Sequence, residues 1–217
     1  MATETPWDQR LARWLVRPFA RTSLRPNHIT TLSLALGVLA GVLFATGETY
    51  AAGWGAGLFM LARFIDHADG ELARLTGRSS RAGYYYDYVA GALSSVALFG
   101  GIGVGYAAGP LGGWALALGV AASVAALAGL GFGLATDARR GSDEAPYPQW
   151  GPFELEDGIY LIGPITWLGG LAGFFVLGAL GQIIFSAFRL CEMRRARPRG
   201  MPPSPPSVES SSAREHT

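Results

Sequence analysis

The chain has 217 residues, half of them hydrophobic and 15% charged, with a formal net charge of +1 and a mean hydropathy of +0.26. That composition departs from the soluble range toward a membrane protein, and its near-neutral charge argues against nucleic acid as a partner. All 17 basic residues are arginine, which excludes a Walker-type phosphate loop and Schiff-base chemistry, while the single Cys191 excludes an intramolecular disulfide and a cysteine metal cluster.

Thr5-Pro6-Trp7-Asp8 reads as a helix start, with a threonine cap, proline at the first helical position and an acid in the first turn. Arg10, Arg13, Arg17 and Arg21 then recur on one face, and Trp7, Leu11, Trp14 and Leu15 on another. This predicts an amphipathic interfacial helix within residues 1–27, its arginines toward anionic lipid. The apolar core of a signal peptide is missing from it.

Apolar runs long enough to cross about 30 Å of hydrocarbon follow. The first is Ile29 to Gly47. The second, about Ala51 to Ile65, is short and is expected to continue as helix through Asp66-Gly70-Arg74. The third is roughly Tyr84 to Val104 and the fourth Leu111 to Ala135. Residues 136–157 read as a polar loop, closed by Glu154, Glu156 and Asp157. Gly158 to Leu190 is apolar with arginines beyond it, and both of its ends carry cytoplasmic charge, so it is expected to cross twice, turning near Gly169-Gly170.

The fold class is therefore all-α: an integral membrane protein with six transmembrane helices over residues 28–190, plus the N-terminal helix. Residues 191–217 are expected to form a disordered cytoplasmic tail, rich in Pro and Ser. Arginine placement puts both termini inside, in the cytoplasmic membrane if the protein is bacterial. Glycines four apart, such as Gly101 and Gly105, serve close helix packing.

Carboxylates enter this apolar pattern at one stretch. Asp66 and Asp69 are three apart and share a helix face, able to hold one divalent cation, and Asp87 and position 91, four apart, would share a face on the next helix. Ionised groups near a bilayer are costly and mark function by default. The plainer alternative is pairing with Arg63, Arg74, Arg78 and Arg81, but three converging aspartates exceed what helix orientation requires. A cation transporter would also use acids in spans, yet it would want them near the midplane rather than at span ends beside arginines.

The segment Asp66-x2-Asp69-Gly70-x2-Ala73-Arg74-x8-Gly83-x3-Asp87 resembles the signature of the CDP-alcohol phosphotransferase (CDP-alcohol phosphatidyltransferase) family, membrane enzymes of phospholipid biosynthesis. A Pro26-Asn27-x2-Thr30 segment at the first span is similar too, so the likeness covers about residues 7–190. The resemblance implies that an acceptor alcohol attacks the β-phosphorus of a CDP-linked donor, such as CDP-diacylglycerol, releasing CMP. It implies Asp66, Asp69 and Asp87 as ligands of one or two Mg2+ or Mn2+ ions, and room for cytidine at Gly70 and Ala73. Arg74 would support the carboxylates or the nucleotide, and Asn27, Thr30, Gly83, Arg78 and Arg81 complete the expected binding set. A homodimer is common among proteins of this kind.

The signature closes with a further aspartate, the expected base, where this chain has Gly91. A second cation site would be weakened by that change. Three readings stay open: another group stands in, with His67, Glu154, Glu156 or Asp157 as candidates; the chain binds CDP-lipid without turning it over; or Gly91 is an altered residue in an otherwise ordinary enzyme. The first and third together are favoured by the intact remainder of the signature. His67 lies about 100° around the helix from Asp66, which favours packing or hydrogen bonding over proton transfer. The acceptor is not specified by sequence; inositol phosphate, glycerol phosphate, serine and diacylglycerol all satisfy it.

Overall fold

A computed structural model of the chain describes residues 13, 14, 16–18, 22, 25–77, 80–109, 111–140, 149, 150 and 153–195. Most of the expected N-terminal helix, Arg78, and the tail beyond 195 lie outside them. The described part is helical apart from one two-residue hairpin. We label the elements α1 (Pro26–Ala45), α2 (Thr49–Thr76), α3 (Arg81–Gly105), α4 (Gly113–Arg140), β1 (Gln149–Trp150), β2 (Phe153–Glu154), α5 (Ile162–Trp167) and α6 (Leu171–Arg195), with a 3₁₀ turn over Leu155–Leu161 before α5.

Local chemistry sets the helix ends. Pro26 occupies the first turn of α1, where its missing N–H costs nothing. Ser80 caps α3, its Oγ accepting from the Gly83 N–H at 3.0 Å. Gly77 ends α2 at φ +64, a conformation that favours glycine. Gly169, at φ +81, makes the expected turn between α5 and α6.

Four helices are long and apolar enough to cross a bilayer: α1, α3, α4 through Ala138, and α6. The protein is an integral membrane protein. Contacts give the relative direction of each helix. Ser33 meets Asp66 and Thr30 meets Asp69, so α1 and α2 are antiparallel. Gly37 faces Ser94 and Gly41 faces Ala97, so α1 and α3 are parallel. Ser123 bonds the Val96 carbonyl and Tyr84 bonds Asp137, so α4 runs back against α3. Tyr160 approaches His67 and Trp167 Nε1 donates to the Gly53 carbonyl, so the 3₁₀ turn and α5 rise from the Asp66 end of α2 toward its start. Arg189 lies against Gly133 and Ser186 against Gly129, which sends α6 down beside α4.

Three sequence boundaries need correction. Residues 136–140 are helical, because α4 carries its amphipathic end to Arg140 instead of opening into a loop at Thr136. Residues 191–195, assigned to the tail, continue α6, with Arg194 and Arg195 in its last turn where cations favour the helix C-terminus. Pro26 and Asn27 belong to α1 rather than to the N-terminal helix. By contrast, α2 runs unbroken through Asp66 and Arg74, as expected.

The α1–α3 seam is built on small residues. A Cβ at Gly41 would overlap the Ala97 carbonyl, and one at Gly101 the Gly41 backbone. Backbone cannot yield as a flexible side chain does, so Gly41→Leu is expected to cost at least ~2 kcal/mol by overpacking. The check is a lowered melting temperature, or loss of the monodisperse peak, in detergent.

Candidate metal and nucleotide site

The helix directions bring the start of α1, the latter half of α2 and the start of α3 together at one end of the bundle. There Asp66, Asp69 and Asp87 each offer a carboxylate oxygen, all within 4.8 Å of one another. Asp66 and Asp69 come from adjacent turns of α2, and Asp87 from the second turn of α3, so the cluster exists only when the two helices are packed. No histidine or further acid joins it among the described residues. An all-oxygen set of three anionic ligands suits a hard divalent cation such as Mg2+ or Mn2+ and offers nothing to a soft one. The residues fit the cation that the signature implies.

Serine and threonine from α1 hold the carboxylates. Thr30 donates to Asp69, and Ser33 Oγ donates to Asp66 Oδ1 at 3.1 Å. Arg63 Nη1 bonds Asp66 Oδ2 at 2.7 Å. The pairing alternative is thus met for Asp66, but Arg74 pairs with Glu71 instead of with the cluster. The apolar part of α2 ends near Ile65, so Asp69 lies beyond it. Burial, then the neighbouring Asp87, push the Asp69 carboxyl up to about 8, with Thr30 pulling the other way. Three ionised carboxylates this close need a cation to coexist.

The Thr30 hydroxyl also reaches the Pro26 carbonyl at 3.3 Å, fixing its rotamer. Thr30→Val keeps the shape and removes the donor to Asp69. Cation affinity is expected to fall about 10- to 100-fold, as for other residues that orient metal ligands, read by Mn2+ titration of the purified protein.

Most other expected site residues gather near the cluster. Gly70 and Ala73 continue the Asp66–Asp69 face of α2, and Arg74 Nη2 would stand 3.6 Å from a Cβ on Gly70. Asn27 lies against Gly83, where a Cβ would come within 3.2 Å of Asn27 Oδ1. Arg81 is exposed in the first turn of α3. His67 Nδ1 donates to the Arg63 carbonyl at 2.8 Å and approaches Tyr160 Oη at 3.4 Å, a hydrogen-bonding role. The side chains of Glu154, Glu156 and Asp157 lie outside the described residues.

Position 91 is half-buried on the Asp87 face of α3, and a Cβ there would meet nothing within 4 Å. Nothing crowds the first atom of the side chain that the signature expects there.

Sequence reasoning missed Ser33 and Glu71. Ser33 follows Thr30 by three and so shares its face, a signal that was available. Glu71 is 1% exposed, accepting from Arg13 Nε at 2.8 Å and from Arg74 Nη2 at 2.7 Å. Burial works to raise its carboxyl, and the two guanidiniums outweigh it and hold the carboxyl below the ordinary glutamate range.

The family model for CDP-alcohol phosphatidyltransferase matches residues 23–189. The chain belongs to the CDP-alcohol phosphatidyltransferase family. A phosphatidylinositol phosphate synthase of Streptomyces avermitilis is 37% identical over 101 residues, a match taking in 44% of this chain and 40% of that relative. The fold resembles the crystal structure of Mycobacterium tuberculosis phosphatidylinositol phosphate synthase with CDP-DAG bound, at a TM-score of 0.62 and 20% identity over 86% of this chain and 93% of that one. The same enzyme in complex with manganese and citrate gives 0.61, also at 20% identity, over 86% and 88%. At that identity the likeness is one of fold.

As a member of this transferase family, the chain carries its signature aspartates on the helices that the family fold brings together.

Proposed function

We propose that this family member transfers a phosphoalcohol group, to be tested first as phosphatidyl, from a CDP-linked donor to an acceptor hydroxyl with release of CMP. The observation that carries this is the convergence of Asp66, Asp69 and Asp87 within 4.8 Å at the end of a membrane bundle. CDP-diacylglycerol is the donor to try first, since a relative of the same fold is described with CDP-DAG bound. Inositol phosphate is the first acceptor, from the names of the relatives.

In this reading the three aspartates hold Mg2+ or Mn2+, which when bound neutralises the donor's diphosphate. Thr30 and Ser33 keep the carboxylates aimed at that position. Gly70 and Ala73 leave the α2 backbone open to a flat base, and Arg74 lies beside it. Such a transfer needs charge neutralisation and a positioned nucleophile more than covalent catalysis by the protein. The proton of the acceptor hydroxyl is what Gly91 leaves without an assigned carrier, and a second cation would bind weakly for the same reason.

Six crossings are the topology that supports this best. The four apolar helices are joined by α2 and by the 3₁₀–α5 segment, each running between the two ends of the bundle. Both described chain ends then lie with the aspartates, beside Arg25, Arg63, Arg74, Arg81 and Arg194. Trp54, Trp114 and Trp167, all exposed, ring the opposite end. The concentration of arginine at the aspartate end supports a site on the cytoplasmic side. The same placement, with Asp87 in the second turn of α3, speaks against a cation path through the midplane. A homodimer would follow the usual habit of the family.

Purified protein supplied with CDP-diacylglycerol, inositol phosphate and Mg2+ is expected to release CMP, and EDTA to stop it. The second reading, a CDP-lipid binder with impaired turnover, is favoured by Gly91 alone. It gains if CDP-diacylglycerol binds and no acceptor releases CMP. Absence of both binding and release would sink the proposal.

A further inference from the structure

The Arg13–Glu71–Arg74 group lies outside the aspartate cluster, and its first two members have no part in the transfer as described. Glu71 is among the largest fully buried side chains, and it is charged. An ionised group in that setting needs full compensation. It receives this from two sources: Arg13 of the N-terminal segment, through Nε at 2.8 Å and Nη2 at 3.5 Å, and Arg74 of its own helix at 2.7 Å. Without Glu71, the Arg74 side chain, 57% exposed, would have freedom to leave the Gly70 backbone it now overlies.

The N-terminal segment is also seated apolarly at this point. Val16, 4% exposed, packs with Ile29 of α1 and with Ala68 and Leu72 of α2, and Ile65 borders the same cluster. Arg13 and Val16, three apart, therefore grip the site-bearing turn of α2 by charge and by packing. Two guanidiniums on one carboxylate leave the group with a net positive charge, and Arg74 carries it to the Gly70 edge of the aspartate face.

We propose that Glu71 is a positioning residue that links the N-terminal segment, through Arg13, to Arg74 at the edge of the aspartate cluster, so that docking of that segment sets the affinity for the CDP-linked donor. This rests on the proposed function, because it gives Arg74 a nucleotide to meet. The N-terminal segment then belongs to the donor site as well as to the membrane surface.

The test is a double-mutant cycle on the full-length protein, following binding of CDP-diacylglycerol and the KM and kcat for CMP release. Arg13→Ala is expected to weaken donor binding about tenfold, the size of one charge-assisted hydrogen bond, raising KM more than it lowers kcat. Arg74→Ala is expected to weaken it at least as much, and in the Arg74→Ala background Arg13→Ala should add nothing. Glu71→Gln should match Arg13→Ala in the KM effect, and Arg13→Lys should restore part of the loss. Melting temperature in detergent accompanies each variant, and Arg13→Lys, which keeps a cation against Glu71, keeps the test readable if Glu71→Gln does not fold. Additive losses from Arg13→Ala and Arg74→Ala, or an Arg13→Ala protein with unchanged donor affinity, overturn the inference while the wild type still releases CMP. A wild type that neither binds CDP-diacylglycerol nor releases CMP overturns the proposed function and the inference with it.

Discussion

Asp69→Asn is expected to lower CMP release by about 10³-fold or more, since a bound cation supplies several kcal/mol of charge stabilisation to such a transfer. The substitution keeps size and shape, and the amide can still accept from Thr30, but one of three negative ligands is gone. Asp69 is the most buried of the three, 6% exposed, so no water-facing group replaces it easily. The loss should not come from unfolding. In the metal-free protein Asp69 holds its proton up to about pH 8, far above its unfolded value, so the folded state binds the extra proton between those limits. Stability of the metal-free protein therefore falls as pH rises from about 4 toward about 8, and Asp69→Asn should flatten that decline. Mg2+ should reverse it in the wild type alone. A melting-temperature series with and without EDTA reads both effects. Full activity in the variant would remove Asp69 from the metal site.

The sequence was most informative where helix spacing and cost in a bilayer coincide. Asp66, Asp69 and Asp87 could be singled out because carboxylates three apart on a helix share a face, and because lipid makes unneeded charge rare. That α2 continues past Ile65 was legible for the same reason: its apolar run was too short to end there. The polar partners on α1 were harder. Ser33 shares the Thr30 face, three positions on, but it meets Asp66 across 33 positions, and the shared face does not name that partner. Glu71 was missed because its neighbours in sequence attract attention to the other face of α2. Its burial depends on Arg13, some 58 positions away. Helix ends were read least well. Residues 136–140 and 191–195 are polar enough to look like loop, yet they complete amphipathic turns in which Asp137 binds Tyr84 and Arg189 sits beside Glu192. A tertiary hydrogen bond holds the first of those turns and an ion pair within α6 the second, and composition records neither.

Gly91→Asp is expected to raise CMP release by about 10²-fold or more, the usual contribution of a positioned general base. Position 91 stands one turn beyond Asp87 on the same face of α3, and a Cβ added there meets no atom within 4 Å. The new side chain would thus start in open space on the face that carries Asp87. Backbone strain gives no reason to keep glycine, because this is ordinary helix interior, where glycine costs about 1 kcal/mol relative to alanine. Gly91→Ala is therefore the control. It should raise the melting temperature slightly and leave turnover where it was, separating helix propensity from chemistry. A fourth carboxylate also increases repulsion in the metal-free site, so the Gly91→Asp protein should melt lower in EDTA and gain more from Mg2+ than the wild type does. Its cation titration should show a second, tighter event. If Gly91→Asp gains the second cation but no rate, the proton already has a carrier in the wild type, and His67 and the acids of residues 154–157 become the groups to substitute next.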